Sequence, residues 1–230
     1  MVSVLLIAAN FVREQRWALI ALMAYVVVFG AGIAFVGGQS EEDTLFMLRS
    51  TSMYGLAFAG LLAASALHNE RKSRRILAVL SKGIERGQYI AGLLAGVAIA
   101  AAVYCGTIVG AAILATHSVT GLGGFAVLLL SLYIYAAVVA MAFSTFLPSL
   151  FAVICAGLLL AGEGALGHAF GGTWNSALPS WTLVQCATNF GAPEWTMPWM
   201  ACLAAALHAV LFWAVATAIF ARRDIAVAVE

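Results

Sequence analysis

Charge is what this chain has least of. Asp, Glu, Lys and Arg make up 9% of its 230 residues against 64% hydrophobic residues, and the mean hydropathy is +1.03. A water-soluble domain carries about a quarter of its residues charged, so the shortage excludes that class and describes a polypeptide dissolved in lipid. Cysteine is scarce too. Cys105, Cys155, Cys186 and Cys202 show no CxxC spacing and lie mostly in apolar stretches, which indicates neither a zinc site nor a disulfide framework. Small apolar packing residues are their expected role. A GxxxxGK[ST] phosphate loop is missing altogether, so the chain is not expected to hydrolyse ATP or to be an enzyme. Nor is there an HExxH pair, since Glu163 and His168 stand five apart, a spacing that does not put two ligands on one helical face. No small-residue cleavage site follows a short apolar region near the start, so a cleaved leader is not expected.

What is present is a series of long apolar runs. Crossing the hydrocarbon layer as a helix takes about 20 residues, and stretches of that length recur near Trp17–Val36, Leu45–Leu67, Tyr89–Ala115, Phe125–Leu147, Leu150–Leu166 and Pro198–Phe220. They are rich in Ala, Leu, Val and Gly without barrel-like alternation, and backbone polar groups in lipid must be satisfied internally, so helices are expected. The predicted fold is all-α, a single six-span membrane domain over residues 1–230, with segment 2–15 lying along the membrane surface as an interfacial helix.

The basic residues set the predicted orientation. Arg13 and Arg16 precede the first run, six Lys and Arg lie between Arg71 and Arg86, and Arg222 and Arg223 follow the last run. Cytoplasmic loops carry such excess, so both termini are expected in the cytoplasm of a multi-pass protein of the inner or plasma membrane. Glu41, Glu42 and Asp43 fall on the opposite side, with Arg49 the one basic residue expected there.

The charged segment 69–88 is more than a topology signal. Ile76, Leu77, Leu80 and Ile84 share one helical face, leaving Arg71, Arg74, Arg75, Lys82 and Glu85 on polar surroundings. Ser73 suits the start of this short helix and Gly83 its end. Moving Arg71, Lys72, Arg74 and Arg75 to the bilayer centre would cost roughly 2.5–3.5 kcal/mol each, which keeps the segment in the cytoplasm.

In this segment Glu70, Ser73, Ile76, Leu80, Ser81, Lys82, Ile84, Arg86, Tyr89 and Gly92 fall where the permease subunits of ABC-2 type transporters carry the E…R…SGTLELLLSKPISRxxYxxGK pattern, and the chain resembles that family. FARRD at Phe220–Asp224 resembles its finish after the last span. Arg74 and Arg75 replace the usual Gly and Thr, Leu77 the usual Glu, and Gly83 a frequent Pro, which implies a differently charged docking surface. LSKGIERGQ at Leu80–Gln88 looks superficially like the LSGGQ signature of ATP-binding subunits, but it lacks the adjacent glycines that bring amides onto phosphate. The resemblance implies an exporter permease that pairs with a second permease chain and with two copies of an ABC ATP-binding subunit. It implies that ATP and Mg are bound by that subunit, with no cofactor on this chain. It also implies that Ile76, Leu77 and Leu80 insert into the ATPase, with Glu70, Ser73, Arg74, Arg75 and Arg86 around them. Apart from these chains the expected partner is the lipid bilayer, and nucleic acid is not expected.

Near the last run, Trp174, Trp181, Trp195 and Trp199 suit the outer headgroup layer. The family implies, for 168–197, re-entrant helices that cap the pathway, with Trp174 and Trp181 as gate candidates. Glu163 is the one acidic residue expected within a span. Such a carboxylate is expensive, and contact with substrate, gating, or a place at headgroup level would each account for it. His68, His117, His168 and His208 fall at mismatched depths for a bis-histidine haem. A non-transporting membrane scaffold also fits the topology.

Overall fold

The computed structural model describes residues 2–36, 41–72, 84–116, 121–170 and 178–222. Within them the chain forms α1 (Val2–Glu14), α2 (Arg16–Val36), α3 (Glu41–Lys72), α4 (Arg86–Thr116), α5 (Leu122–Ser144), α6 (Ser149–Phe170), α7 (Pro179–Thr188) and α8 (Trp199–Arg222). Five stretches are long and apolar enough to cross a membrane: Leu45–Asn69, Arg86–Ile113, Leu122–Ser144, Ser149–Gly167 and Trp199–Arg222. α2 adds the shorter apolar stretch Arg16–Val28. All-α architecture follows from the composition, because only a helix satisfies its own backbone inside lipid.

Local chemistry sets the helix ends. Gly121 adopts φ 78° ahead of α5, a left-handed conformation that costs glycine little. At the far end of α5 the hydroxyls of Ser144 and Thr145 donate to the carbonyls of Met141 and Ala142 at 2.8 and 2.7 Å. Pro148 lacks an N–H and leads directly into α6, while Pro179 occupies the first position of α7, where a missing N–H costs nothing.

α5 is the centre of the bundle. It packs against α3, α4, α6, α7 and α8, and 72% of its span is buried, against 22% for α6 and for α8. Leu128, Leu129, Leu132, Tyr133, Val139 and Met141 point inward all round it, as expected of a helix apolar on every side. The outer faces of α6 and α8 carry Leu150, Phe151, Leu158, Leu203, Leu207 and Val210 in the open.

α1 lies against the first turns of α4. Val4 and Ile7 approach Gly92, and Phe11 approaches Gly96, so closely that a methyl at either glycine would collide with them. Small residues four apart let helices touch at backbone distance in a membrane. Ala8 and Phe11 are buried on this face, and Leu5 and Leu6 are exposed on the other. Gln15 alone separates α1 from α2, and helical hydrogen bonds run through it from Gln15 N to Phe11 O and from Leu19 N to Gln15 O, both 3.0 Å.

Candidate functional site

α5, α6 and α7 meet at the carboxylate of Glu163. The Tyr135 hydroxyl donates to Oε1 at 2.5 Å. Ser180 donates to Oε2 twice, from Oγ at 2.6 Å and from its backbone N–H at 3.3 Å. Ser180 Oγ also lies 3.1 Å from the Leu160 carbonyl, and the shorter, charge-assisted contact takes its proton. Because Ser180 is the second residue of α7, the carboxylate also sits where the helix dipole and two orphan N–H groups favour negative charge. A charge within a span costs about 2.5–3.5 kcal/mol on insertion scales. Hydrogen bonds to a charged group return about 1.5–3 kcal/mol each, so this set of donors is sufficient to hold it. Gly164 has a structural reason as well: the Trp181 ring lies where its Cβ would be, 2.8 Å away.

Beside this node lies a groove of about 500 Å³ between α3, α5, α6 and α7, bordered by Met53, Gly60, Ala136, Gly157, Ser180 and Trp181 among others. Its size falls in the range of small-molecule sites. Ser180 and Trp181 belong to both features, so the groove ends one hydrogen bond away from the Glu163 carboxylate.

An aromatic cluster closes the same end of the bundle. Phe190 stacks on Phe125 with centroids 4.2 Å apart and meets Trp195 edge-on at 5.0 Å. Trp195 Nε1 donates to the Cys186 carbonyl at 2.9 Å, and Arg49 Nη2 donates to the Phe190 carbonyl at 3.0 Å. Gly191, at φ 88°, turns the chain against Leu45. Burial, with Cys202 nearby, raises the Cys186 thiol above its ordinary value, which disfavours the reactive thiolate. All four cysteines are free thiols.

At the opposite end, Arg86 of α4 caps α8. Its Nη1 donates to the Phe220 and Ala221 carbonyls at 3.0 and 2.7 Å, and its guanidinium lies 5.9 Å from the Phe220 ring centre. The last carbonyls of a helix have no partner within it, and a cation there also meets the negative end of the dipole.

The residues singled out from sequence therefore fall into three groups. Glu163, Trp181 and Arg86 have defined surroundings. Glu70 belongs to α3. Ser73, Arg74, Arg75, Ile76, Leu77, Leu80 and Trp174 lie outside the described residues. Of the expected re-entrant region 168–197, the described part contains one short helix, α7. Tyr135, Ser180 and Arg49 are the contacts that sequence reasoning missed. The signals for the first two were a hydroxyl inside an apolar run and a serine just after a proline that can open a helix. No group of His, Cys, Asp and Glu able to hold a metal occurs among the described residues, and His208 instead lies beside the Tyr135 ring, centroids 6.1 Å apart.

Five candidate spans, with the most buried of them, α5, at the centre, define a multi-pass α-helical membrane protein. No protein-family model matches the chain, and no curated protein matches it.

Proposed function

We propose that this chain is the permease subunit of an ATP-driven exporter of the ABC-2 type, forming its pathway as a dimer and driven by two separate ATP-binding subunits. The observation that carries the reading is the position of the basic, apolar-faced segment 69–88. It joins α3 to α4, and near its end Arg86 ties the start of α4 to the end of α8. Force applied to that segment reaches a peripheral helix through two hydrogen bonds, without crossing the packed core. In this reading α2 completes six spans, and the end carrying Arg86 and Arg222 is cytoplasmic together with both termini. The even span count and the basic bias support that orientation. The Phe125, Phe190 and Trp195 cluster then closes the outer end, and Trp174 and Trp181 belong to its gate.

Ile76, Leu77 and Leu80 form the apolar insert in this proposal, surrounded by Glu70, Ser73, Arg74 and Arg75. Each buried side chain contributes about 1.5–3 kcal/mol, so a stable complex needs several engaged together. The test is copurification with a nucleotide-binding subunit followed by an ATPase assay on the complex. Leu80→Asp is expected to abolish the stimulated ATPase while leaving the amount of chain in the membrane unchanged. An unaltered ATPase rate in that variant would overturn the proposal.

A further inference from the structure

We infer that the groove between α3, α5, α6 and α7 binds an amphipathic cation, its apolar body along α3 and α6 and its positively charged head against Ser180 and Glu163. Three observations combine. The groove is lined almost wholly by apolar and small residues at the depth of candidate spans, from Met53 to Gly60 on α3 and from Val153 to Ala161 on α6, which suits an elongated hydrocarbon body. Its polar lining group is Ser180, and that hydroxyl is bonded to the Glu163 carboxylate. Among the described residues the carboxylate is held by neutral donors: Tyr135 and Ser180 supply hydrogen bonds but no opposite charge, and no Lys, Arg or His there forms an ion pair with it. His208 contacts the ring of Tyr135 and gives Glu163 no ion pair.

A negative charge that meets no cation among the described residues, at the end of an apolar groove, is complementary to one kind of molecule. A neutral chain gains the apolar contact alone, and an anionic amphiphile is repelled by the carboxylate. A cationic head gains the Coulomb attraction in a medium of low dielectric, where it is much stronger than in water. Hydrogen-bond donors on the head find free acceptor capacity, since a carboxylate offers about four lone-pair sites and three are taken here. The groove itself stands independently of the exporter proposal. Its role as the entry site for cargo rests on that proposal.

The test uses the full-length chain in phosphatidylcholine nanodiscs without nucleotide, with Trp181 as reporter. The probes are a bromoalkyl trimethylammonium and a bromoalkyl alcohol of the same chain length, whose bromine quenches tryptophan on contact. The cation is expected to give saturable quenching that is lost in Trp181→Phe, whereas the alcohol binds more weakly. Glu163→Gln, which keeps an acceptor for Tyr135, is expected to weaken the cation roughly tenfold and leave the alcohol unchanged. Gly157→Leu is expected to abolish both, because Gly157 lines the groove and a Cβ there meets no atom within 4 Å, leaving the open space for a larger side chain to fill. Equal binding of the two probes to the unmodified chain would overturn the inference, leaving a groove for any hydrocarbon chain. Absence of saturable quenching would also overturn it, leaving the groove to bulk lipid or to a helix of a second copy. The unmodified-chain comparison decides the matter even if a variant fails to fold. Failure of Leu80→Asp to alter ATPase would leave this result untouched.

Discussion

Arg86 and Glu163 solve the same electrostatic problem at opposite ends of the bundle and with opposite sign. Arg86 places a cation on the last carbonyls of α8, and Glu163 places an anion on the Ser180 N–H at the start of α7. Each completes a helix terminus that its own helix leaves unsatisfied. The difference lies in the surroundings. Arg86 begins its span, with its contact to Ala221 exposed and that to Phe220 part-buried, whereas Glu163 lies within the span Ser149–Gly167 and its contacts to Tyr135 and Ser180 are all part-buried. A charge near water is cheap to keep and cheap to lose. One embedded among apolar helices persists only with several donors aimed at it, and losing it leaves those donors without a partner.

That contrast gives an order of expected effects. Glu163→Ala is expected to be the larger disruption, lowering stability by about 2–3 kcal/mol, because the Tyr135 hydroxyl and the start of α7 lose their acceptor together. It is read as a fall in the thermal unfolding midpoint in a fixed detergent or nanodisc. An unchanged midpoint would show that the insertion cost of the carboxylate cancels everything it holds. Arg86→Ala should follow at about 1–2 kcal/mol, with Arg86→Lys recovering part of it, since an ammonium keeps the charge but not the fork. If Arg86→Ala proved the more damaging of the two, the Arg86 end would be the buried one and the comparison would reverse. Smallest is the coupling between the sites. The double variant is expected to equal the sum of the singles within about 0.5 kcal/mol, and a larger departure in unfolding measurements would reveal that α5 transmits strain along its length.

Most of the architecture was legible in the order of residues. The expected runs Leu45–Leu67, Tyr89–Ala115, Phe125–Leu147, Leu150–Leu166 and Pro198–Phe220 each coincide with a candidate span to within a few residues. Lipid imposes this: a helix there must be apolar for its whole length, so the pattern is visible without knowing the neighbours. Helix ends beyond the apolar core were less visible. α3 runs from Glu41 to Lys72, past the run that hydropathy marks, because backbone hydrogen bonding does not stop where the apolar residues do. Glu163 could be singled out from its position, but not its partners. Tyr135 is 28 residues away and Ser180 is 17, and nothing in local periodicity couples a hydroxyl on one helix to a carboxylate on another. Arg86 was expected on a docking rim from the resemblance alone. Its hydrogen bonds to Phe220 and Ala221 span 134 and 135 residues, so only the meeting of α4 with α8 reveals them.

The amino-acid sequence by itself determined that this is an all-α membrane chain and where its long apolar helices run, because each of those is a transfer free energy summed over adjacent residues. Tertiary structure decided which helix is central, which glycine-flanked faces touch, what satisfies Glu163 and Arg86, and that a groove opens beside α6. Those depend on packing and hydrogen bonding between residues far apart in the chain, and such pairwise terms exist only once the helices have been brought together.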